Sequence, residues 1–119
     1  LTHYALRGAH KRVIRILAGL QFSGTEATLV LWSVTRELRE LYAMTLELER
    51  GKSMIDVIAT QWQSRKPLLK SALPRLRTNK LSQMLQHAEQ IDHVIKGIKI
   101  GNTWQELAML CLKLSGAPI

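Results

Sequence analysis

Apolar residues recur at three- and four-residue steps along almost the whole chain, the period of helices with one buried face. No stretch alternates with the period of two that a half-buried strand requires. Val13, Ile16, Leu17 and Leu20 predict a helix over about 9–20, with Arg7, Lys11 and Arg15 opposite them at four-residue steps. Ser23-Gly24-Thr25-Glu26 has the S-x-x-E form of a capping box, in which hydroxyl and carboxylate each satisfy a free backbone N–H. It predicts the start of the longest helix, about 25–49, ended by Gly51. Leu31, Val34, Leu38, Leu41, Thr45 and Leu48 form its seam.

Ser53 and Asp56 begin a short helix ending near residue 61. Pro67 suits the first turn of the next helix, where its missing N–H has no partner to lose. Leu68, Leu69, Ala72, Leu73 and Leu76 mark the buried side of that helix, and Pro74 should interrupt it. Thr78 is placed to cap a long helix over about 80–98, with Leu81, Met84, Leu85, Ala88, Ile91, Val94, Ile95 and Ile98 inward. After a break at Gly101-Asn102, Thr103 and Glu106 have the spacing of a second capping box and open a last helix to about 114. The expectation is an all-α fold: a compact bundle of five or six helices, one domain over 1–119.

The long 25–49 helix carries more apolar surface than a small bundle needs. Trp32, Tyr42, Met44 and Leu46 lie off its seam, and its polar residues crowd into an arc around Glu26, Ser33, Glu37, Glu40 and Glu47. Such a helix is either central in its domain or shared with a neighbouring protein.

Charge then changes the picture. The chain carries 17 basic and 9 acidic residues, a net +8, with a pI near 10.2. The 32 residues from Val57 to Ala88 hold no acid, but include Arg65, Lys66, Lys70, Arg75, Arg77 and Lys80. A surface so one-sided attracts polyanions, nucleic acid first among them, although a basic run on a helix is often only a solvated face. A hydrophobic content of 46% and a mean hydropathy of -0.03 exclude a disordered tail. No uncharged apolar run approaches the roughly 18 residues of a membrane helix. The lone Cys111, between Leu110 and Leu112, forms no internal disulfide and reads as a buried thiol in a reducing, cytoplasmic setting. The chain opens at Leu1 without a signal pattern and reads as a piece of a longer protein.

Catalytic constellations are not found. There is no phosphate-binding glycine loop and no zinc-type Cys/His spacing, and His3, His10, His87 and His93 are scattered. Gly97 and Gly101 form a G-x-x-x-G interrupted by Lys99, too short and charged for a membrane dimer. Glu89 and His93 have the spacing of a surface hydrogen bond. Glu37 and Glu40, flanked by Arg36 and Arg39, read as an exposed charge lattice with Arg36 and Glu40 paired, not as a general acid and base. The expectation is no enzyme, no metal and no cofactor.

Six strings nevertheless combine. Gly8-Ala9-His10-Lys11-Arg12-Val13-Ile14-Arg15-Ile16-Leu17 is followed by Gly24-Thr25-Glu26, then by Leu29-Val30-Leu31-Trp32-Ser33-Val34-Thr35-Arg36-Glu37-Leu38-Arg39. Trp62-Gln63-Ser64-Arg65-Lys66-Pro67-Leu68, Ile95-Lys96-Gly97 and Gly101-Asn102-Thr103-Trp104-Gln105-Glu106-Leu107 complete the series. In this order and spacing the chain resembles the C-terminal domain of the bacterial DNA polymerase III delta subunit, a clamp-loader subunit. The resemblance implies two N-terminal AAA+-type modules outside this chain, the first of which grips and opens the sliding clamp. It also implies that delta itself does not hydrolyse ATP, although the parent assembly is a DNA-directed DNA polymerase, a nucleotidyltransferase. The C-terminal domains of the loader subunits would pack into a closed collar, with primer–template DNA beneath.

On this reading Trp32, Tyr42, Leu46 and Trp62 are candidate subunit contacts. Arg65, Lys66, Lys70, Arg77, Lys96, Lys99 and Ile100 are candidate DNA-facing residues. Some relatives have an aromatic residue where Ile100 stands; an isoleucine can wedge against a base pair but has no π-face for stacking. Trp104 is expected in the core, anchoring the last helix. The alternative is a stand-alone basic helical module that binds nucleic acid through 65–80.

Overall fold

Helix ends set this architecture more than helix interiors do. The computed structural model describes residues 1–117, and among these the chain forms seven helices and no strand. They are α1 (Thr2–Leu6), α2 (His10–Phe22), α3 (Ala27–Glu49), α4 (Met54–Val57), α5 (Lys66–Ala72), α6 (Thr78–Ile95) and α7 (Thr103–Leu114). Five of them, α1, α2, α3, α6 and α7, end alike: a glycine at positive φ follows the last turn, and two backbone N–H groups fold back onto carbonyls inside it. This closure satisfies carbonyls that have no partner within the helix.

The all-α expectation holds, with one helix more than foreseen. α1 is only five residues long, too short to show a period, and it packs on α2, α3, α5 and α7. α3 lies mainly along α6, α6 along α7, and α7 along α2. At 23 residues α3 is about 34 Å long and spans most of the 42 × 26 × 26 Å molecule. It is the central helix: Leu31, Val34, Leu38, Leu41 and Thr45 of its seam are buried, as is Met44 from beside the seam. One continuous core joins them to Val13 and Leu17 of α2, Leu69 and Ala72 of α5, Leu81 and Ile91 of α6, and Leu107, Leu110, Cys111 and Leu114 of α7. Trp104 is partly buried against this core.

Several local expectations are corrected. Ser23 does not cap α3: the glycine turn at Gly24 leaves Ser23 in helical geometry at the end of α2, and its hydroxyl donates to Leu20 O at 3.0 Å. α3 starts at Ala27 without a side-chain cap. Asn102, not Thr103, caps α7, its Oδ1 accepting from Gln105 N–H at 3.1 Å. Thr78 is the first residue of α6, not its cap, and its buried hydroxyl has no hydrogen-bond partner. Ile98 lies outside the core, because α6 closes at Gly97 and turns the chain outward. Ser53 begins α4 as expected, its hydroxyl accepting from Asp56 N–H at 3.2 Å, but the helix ends at Val57 and not near residue 61; α5 stops two residues before Pro74.

The two ends of the chain meet at Arg75, in the turn after α5 between the buried Leu73 and Leu76. Its guanidinium donates to Leu114 O at 2.8 Å, Leu6 O at 3.1 Å and Ala5 O at 3.3 Å. These are last-turn carbonyls of α7 and α1, where helix dipoles also favour a cation. His10 reaches Ser115 O, one residue further along α7's end, at 3.0 Å. Gly116 leaves room here: a Cβ would stand 3.1 Å from the Arg75 guanidinium, at a φ of +82° that side chains rarely adopt.

Arg75→Met keeps the aliphatic stem but leaves those carbonyls without their donor. We expect a loss of about 2–4 kcal/mol in urea unfolding. Arg75→Lys should restore less than half of it, because an ammonium lacks the planar fork that spans three acceptors. A wild-type unfolding midpoint in the Met variant would contradict this role.

Candidate interaction surfaces

The acid-free stretch 57–88 does not present its six bases as one face. Arg75 is turned inward, and burial lowers its pKa below the ordinary guanidinium value. Arg65 is also engaged. It precedes α5 and reaches Glu37 of α3 through two contacts, Nη2 to Oε1 at 2.8 Å and Nη1 to Oε2 at 3.4 Å. Glu37 is only 7% exposed, so it is no member of a surface lattice, and Arg36 and Glu40 form no ion pair. The cause is the approach of the segment before α5 to the middle of α3, which encloses the carboxylate. Lys66, Lys70, Arg77 and Lys80 keep their charges without an acidic partner among the described residues; Lys66 is half-buried and the others are exposed.

The loop between α6 and α7 carries the remaining candidates. Lys96 pairs with Asp92 at 2.8 Å, and Lys99 donates to Gln90 Oε1 at 2.8 Å. These contacts hold both lysines against α6. Ile100 is fully exposed and Ile98 is largely exposed, so two apolar residues flank Lys99 in this loop.

The candidate subunit contacts divide. Tyr42 and Leu46 are half-buried, Tyr42 packing against the core. Trp32 is 61% exposed and Trp62 is 81% exposed. Trp32 forms the lip of an open groove of about 590 Å³ between α3 and α6, with Leu31, Thr35, Arg39, Leu85 and Lys96 along it. Isolated exposed apolar residues are ordinary, but an indole left at the mouth of a groove beside arginine is the composition of interface hot spots.

Three features escaped sequence reasoning. Residues 1–25 also contain no acid, so α1, α2 and α5 are all without one, and α1 packs against α5. Within that segment Arg12 and Arg7 both lie over the Tyr4 ring, at 4.8 and 5.8 Å from its centroid. The third feature is a chain of polar contacts between α6 and α7. His87 contacts Glu106 Oε2 at 2.6 Å and Lys113 Nζ at 3.3 Å. An ammonium only donates, so Nδ1 accepts and the Nε2–H faces the carboxylate. Glu106 is thereby used by α6 instead of capping its own helix, and Glu89 and His93 make no hydrogen bond with each other. Among the described residues no three His, Cys, Asp or Glu side chains are grouped to hold a metal. No helix is long and apolar enough to cross a membrane. Burial pushes the Cys111 thiol up to about 12, leaving it protonated and without nucleophilic character at neutral pH.

Comparison with known proteins supplies the family. The family model for the C-terminal region of the processivity clamp loader gamma complex of DNA polymerase III matches residues 2–119. The DNA polymerase III subunit delta of Haemophilus influenzae is 32% identical over 119 aligned residues, which cover 92% of this chain and 35% of that protein. The subunit of the same name from Escherichia coli is 28% identical over 117 residues, 96% of this chain and 34% of the relative. The chain thus spans about a third of the length of these relatives.

Glu37→Ala should cost about 3 kcal/mol, because it leaves the Arg65 guanidinium half-buried without its partner. Glu37→Leu with Arg65→Met should recover most of that in a double-mutant cycle; strict additivity would show that the pair is not coupled. The thiol gives a pH prediction. Its folded value lies above the reference of 9.0, so its contribution to stability is complete below pH 9 and falls as pH rises toward 12, the unfolded thiol ionising first. The difference in urea stability between wild type and Cys111→Ala should therefore narrow across that range, by up to about 1.4 kcal/mol per pH unit. A difference constant from pH 8 to 11 would contradict it.

Proposed function

The chain belongs to the family of C-terminal clamp-loader domains of DNA polymerase III, and on that premise we propose that it is an assembly element of the loader in DNA replication. It packs with the corresponding domains of other loader subunits in a collar, and so holds the ring together while the remaining parts of the subunits act on the sliding clamp. The observation that carries this reading is the family match over essentially the whole chain, joined to a central helix whose Trp32 faces outward at a groove. Trp32 and Trp62 are the foremost contacts, with Tyr42 and Leu46 as half-buried support. No chemical step is assigned to this domain, and no cofactor is needed for a packing role. The AAA+-type modules, and contact with the clamp through them, belong to the rest of the parent subunit. A cytoplasmic site of action follows from replication itself.

Proximity to primer–template DNA is the second part of the reading. Lys70, Arg77 and Lys80 are exposed cations without acidic partners among the described residues, and the fully exposed Ile100 lies in the 96–102 loop next to Lys99. In the collar these would face the phosphates and the end of the duplex. Arg65 contributes less, since its charge is already matched by Glu37.

The deciding experiment is co-elution of the chain with the other loader subunits at moderate salt and without DNA. A stable complex is expected, weakened by Trp32→Glu or Tyr42→Glu while helicity is retained; assembly unchanged in both variants would remove this surface from the proposal. Reversing Lys66, Lys70 and Arg77 to glutamate should lower the salt slope of duplex binding by about 2.7 if all three meet phosphates. Tight, salt-sensitive DNA binding by the chain alone, with no assembly, would favour the stand-alone nucleic-acid module instead.

A further inference from the structure

We propose that the groove between α4 and α5 docks an acidic, apolar-anchored segment of a partner protein. The groove, about 510 Å³ and open to solvent, is walled by Met54, Ile55 and Ala59 on the α4 side and Pro67 on the α5 side. Lys66 and Lys70 stand along its α5 edge. Ile55 is 74% exposed, and the buried Ile58, three residues on and so its neighbour on the helix surface, lines the groove with it.

Charge complementarity determines the occupant. The two lysines are spaced i,i+4 on one helix face, so they repel each other mildly. Neither makes an ion pair or a side-chain hydrogen bond among the described residues, and α5 contains no acid. A carboxylate placed between them relieves that repulsion, while an aliphatic side chain beneath it removes Ile55 and Met54 from water.

Nucleic acid fits this site less well. The walls are aliphatic, with neither an aromatic ring nor a guanidinium plane for a base, and a phosphate backbone has nothing apolar to fill a hollow. Trp62, the nearest indole in the chain, does not line the groove. Helix-in-groove recognition by a segment that alternates apolar anchors with acids uses all the parts present. The inference is separate from the subunit packing at Trp32, which concerns a different face; it shares Lys66 and Lys70 with the DNA-facing reading, and the duplex probe below tells those two apart.

The test is amide chemical-shift mapping of the isotopically labelled chain, whose core closes within its own helices. The probes are an acetylated peptide with leucines at helical spacing and glutamates between them, the same peptide with glutamines for glutamates, and a short DNA duplex. The acidic peptide should shift amides of residues 54–70 and bind at least several-fold more tightly than the glutamine form. Lys66→Glu with Lys70→Glu should weaken it by about tenfold, and Ile55→Asp by a similar or larger factor. Arg12→Glu should change little. Arg12, Ile55 and Lys70 are exposed and Lys66 is half-buried, and thermal melts of each variant separate lost binding from lost fold. Absence of shifts, or shifts confined to other helices, would overturn the proposal. So would equal binding of both peptides, or a response of the same amides to the duplex but not to the acidic peptide.

Discussion

Two helices of this domain point their carboxyl ends at the same place, and one guanidinium makes that arrangement stable. The carbonyls of Ala5, Leu6 and Leu114 converge on Arg75, and Ser115 O is met by His10. Without these donors the junction would place the negative ends of two helix dipoles together with their acceptors unmatched. With them, the first and last helices are fixed to the α5–α6 turn, and α2 is fixed to the end of α7. The seam of α3, the longest element, can then be covered from several sides. A bundle assembled from helices as short as α1, α4 and α5 needs such a fixed point, since none of them supplies much core alone.

The same contact changes the meaning of the basic stretch. Two of its six bases serve the interior, Arg75 on carbonyls and Arg65 on the enclosed Glu37. What remains for solvent is a thinner set of lysines and Arg77. The charge asymmetry of the molecule is nevertheless real, and it is an asymmetry of helices. All nine acids lie within 26–56 and 89–106, on α3, α4, α6, α7 and the residues beside them. Helices α1, α2 and α5 carry only bases. Where α1 and the start of α5 meet α3, however, Glu37 and the exposed Glu40 share a surface pocket with Thr2 and Arg65, so acids of α3 stand beside these acid-free helices, and the α3–α6 groove also offers both signs.

How much of this could be read from the sequence depends on the range of the interaction involved. The seam of α3, the stop at Gly51, the short helix capped by Ser53 and the break at Pro74 were legible because each is decided within a few residues. The capping boxes failed for a local reason of a different kind. Ser23 and Thr103 both have competitors, a glycine closure just after one and Asn102 just before the other, and a motif does not show which group wins. α1 was hidden by its length. Glu37 was misjudged because exposure was inferred from neighbours on its own helix, while a base 28 residues away decided it. Arg75 lay inside a leucine-rich turn, Leu73-Pro74-Arg75-Leu76, and a charged residue between two buried leucines was the one available sign that it faced inward. The family resemblance was legible because it needs only order and spacing. The position of Trp32 off the seam separated it from Trp104, expected in the core, and the two do differ: Trp32 is exposed and Trp104 packs, partly buried, on the core.

The distribution of unused surface then bears on function. The interior is closed: its core is continuous, its thiol is held protonated, and its buried carboxylate is matched. Large apolar residues left in water include Phe22, Trp32, Ile55, Trp62, Ile98 and Ile100, and Trp32, Ile55, Trp62 and Ile100 stand near cations. Tryptophan and isoleucine standing in water forgo burial that folding alone had the opportunity to supply, and α3 shows that such burial was available, since it enclosed Met44 from the same off-seam set. Single exposed apolar residues are ordinary, but those that line open grooves gain burial when a second molecule covers them. A domain whose inside is complete and whose outside is apolar beside positive charge is best understood as one member of an assembly.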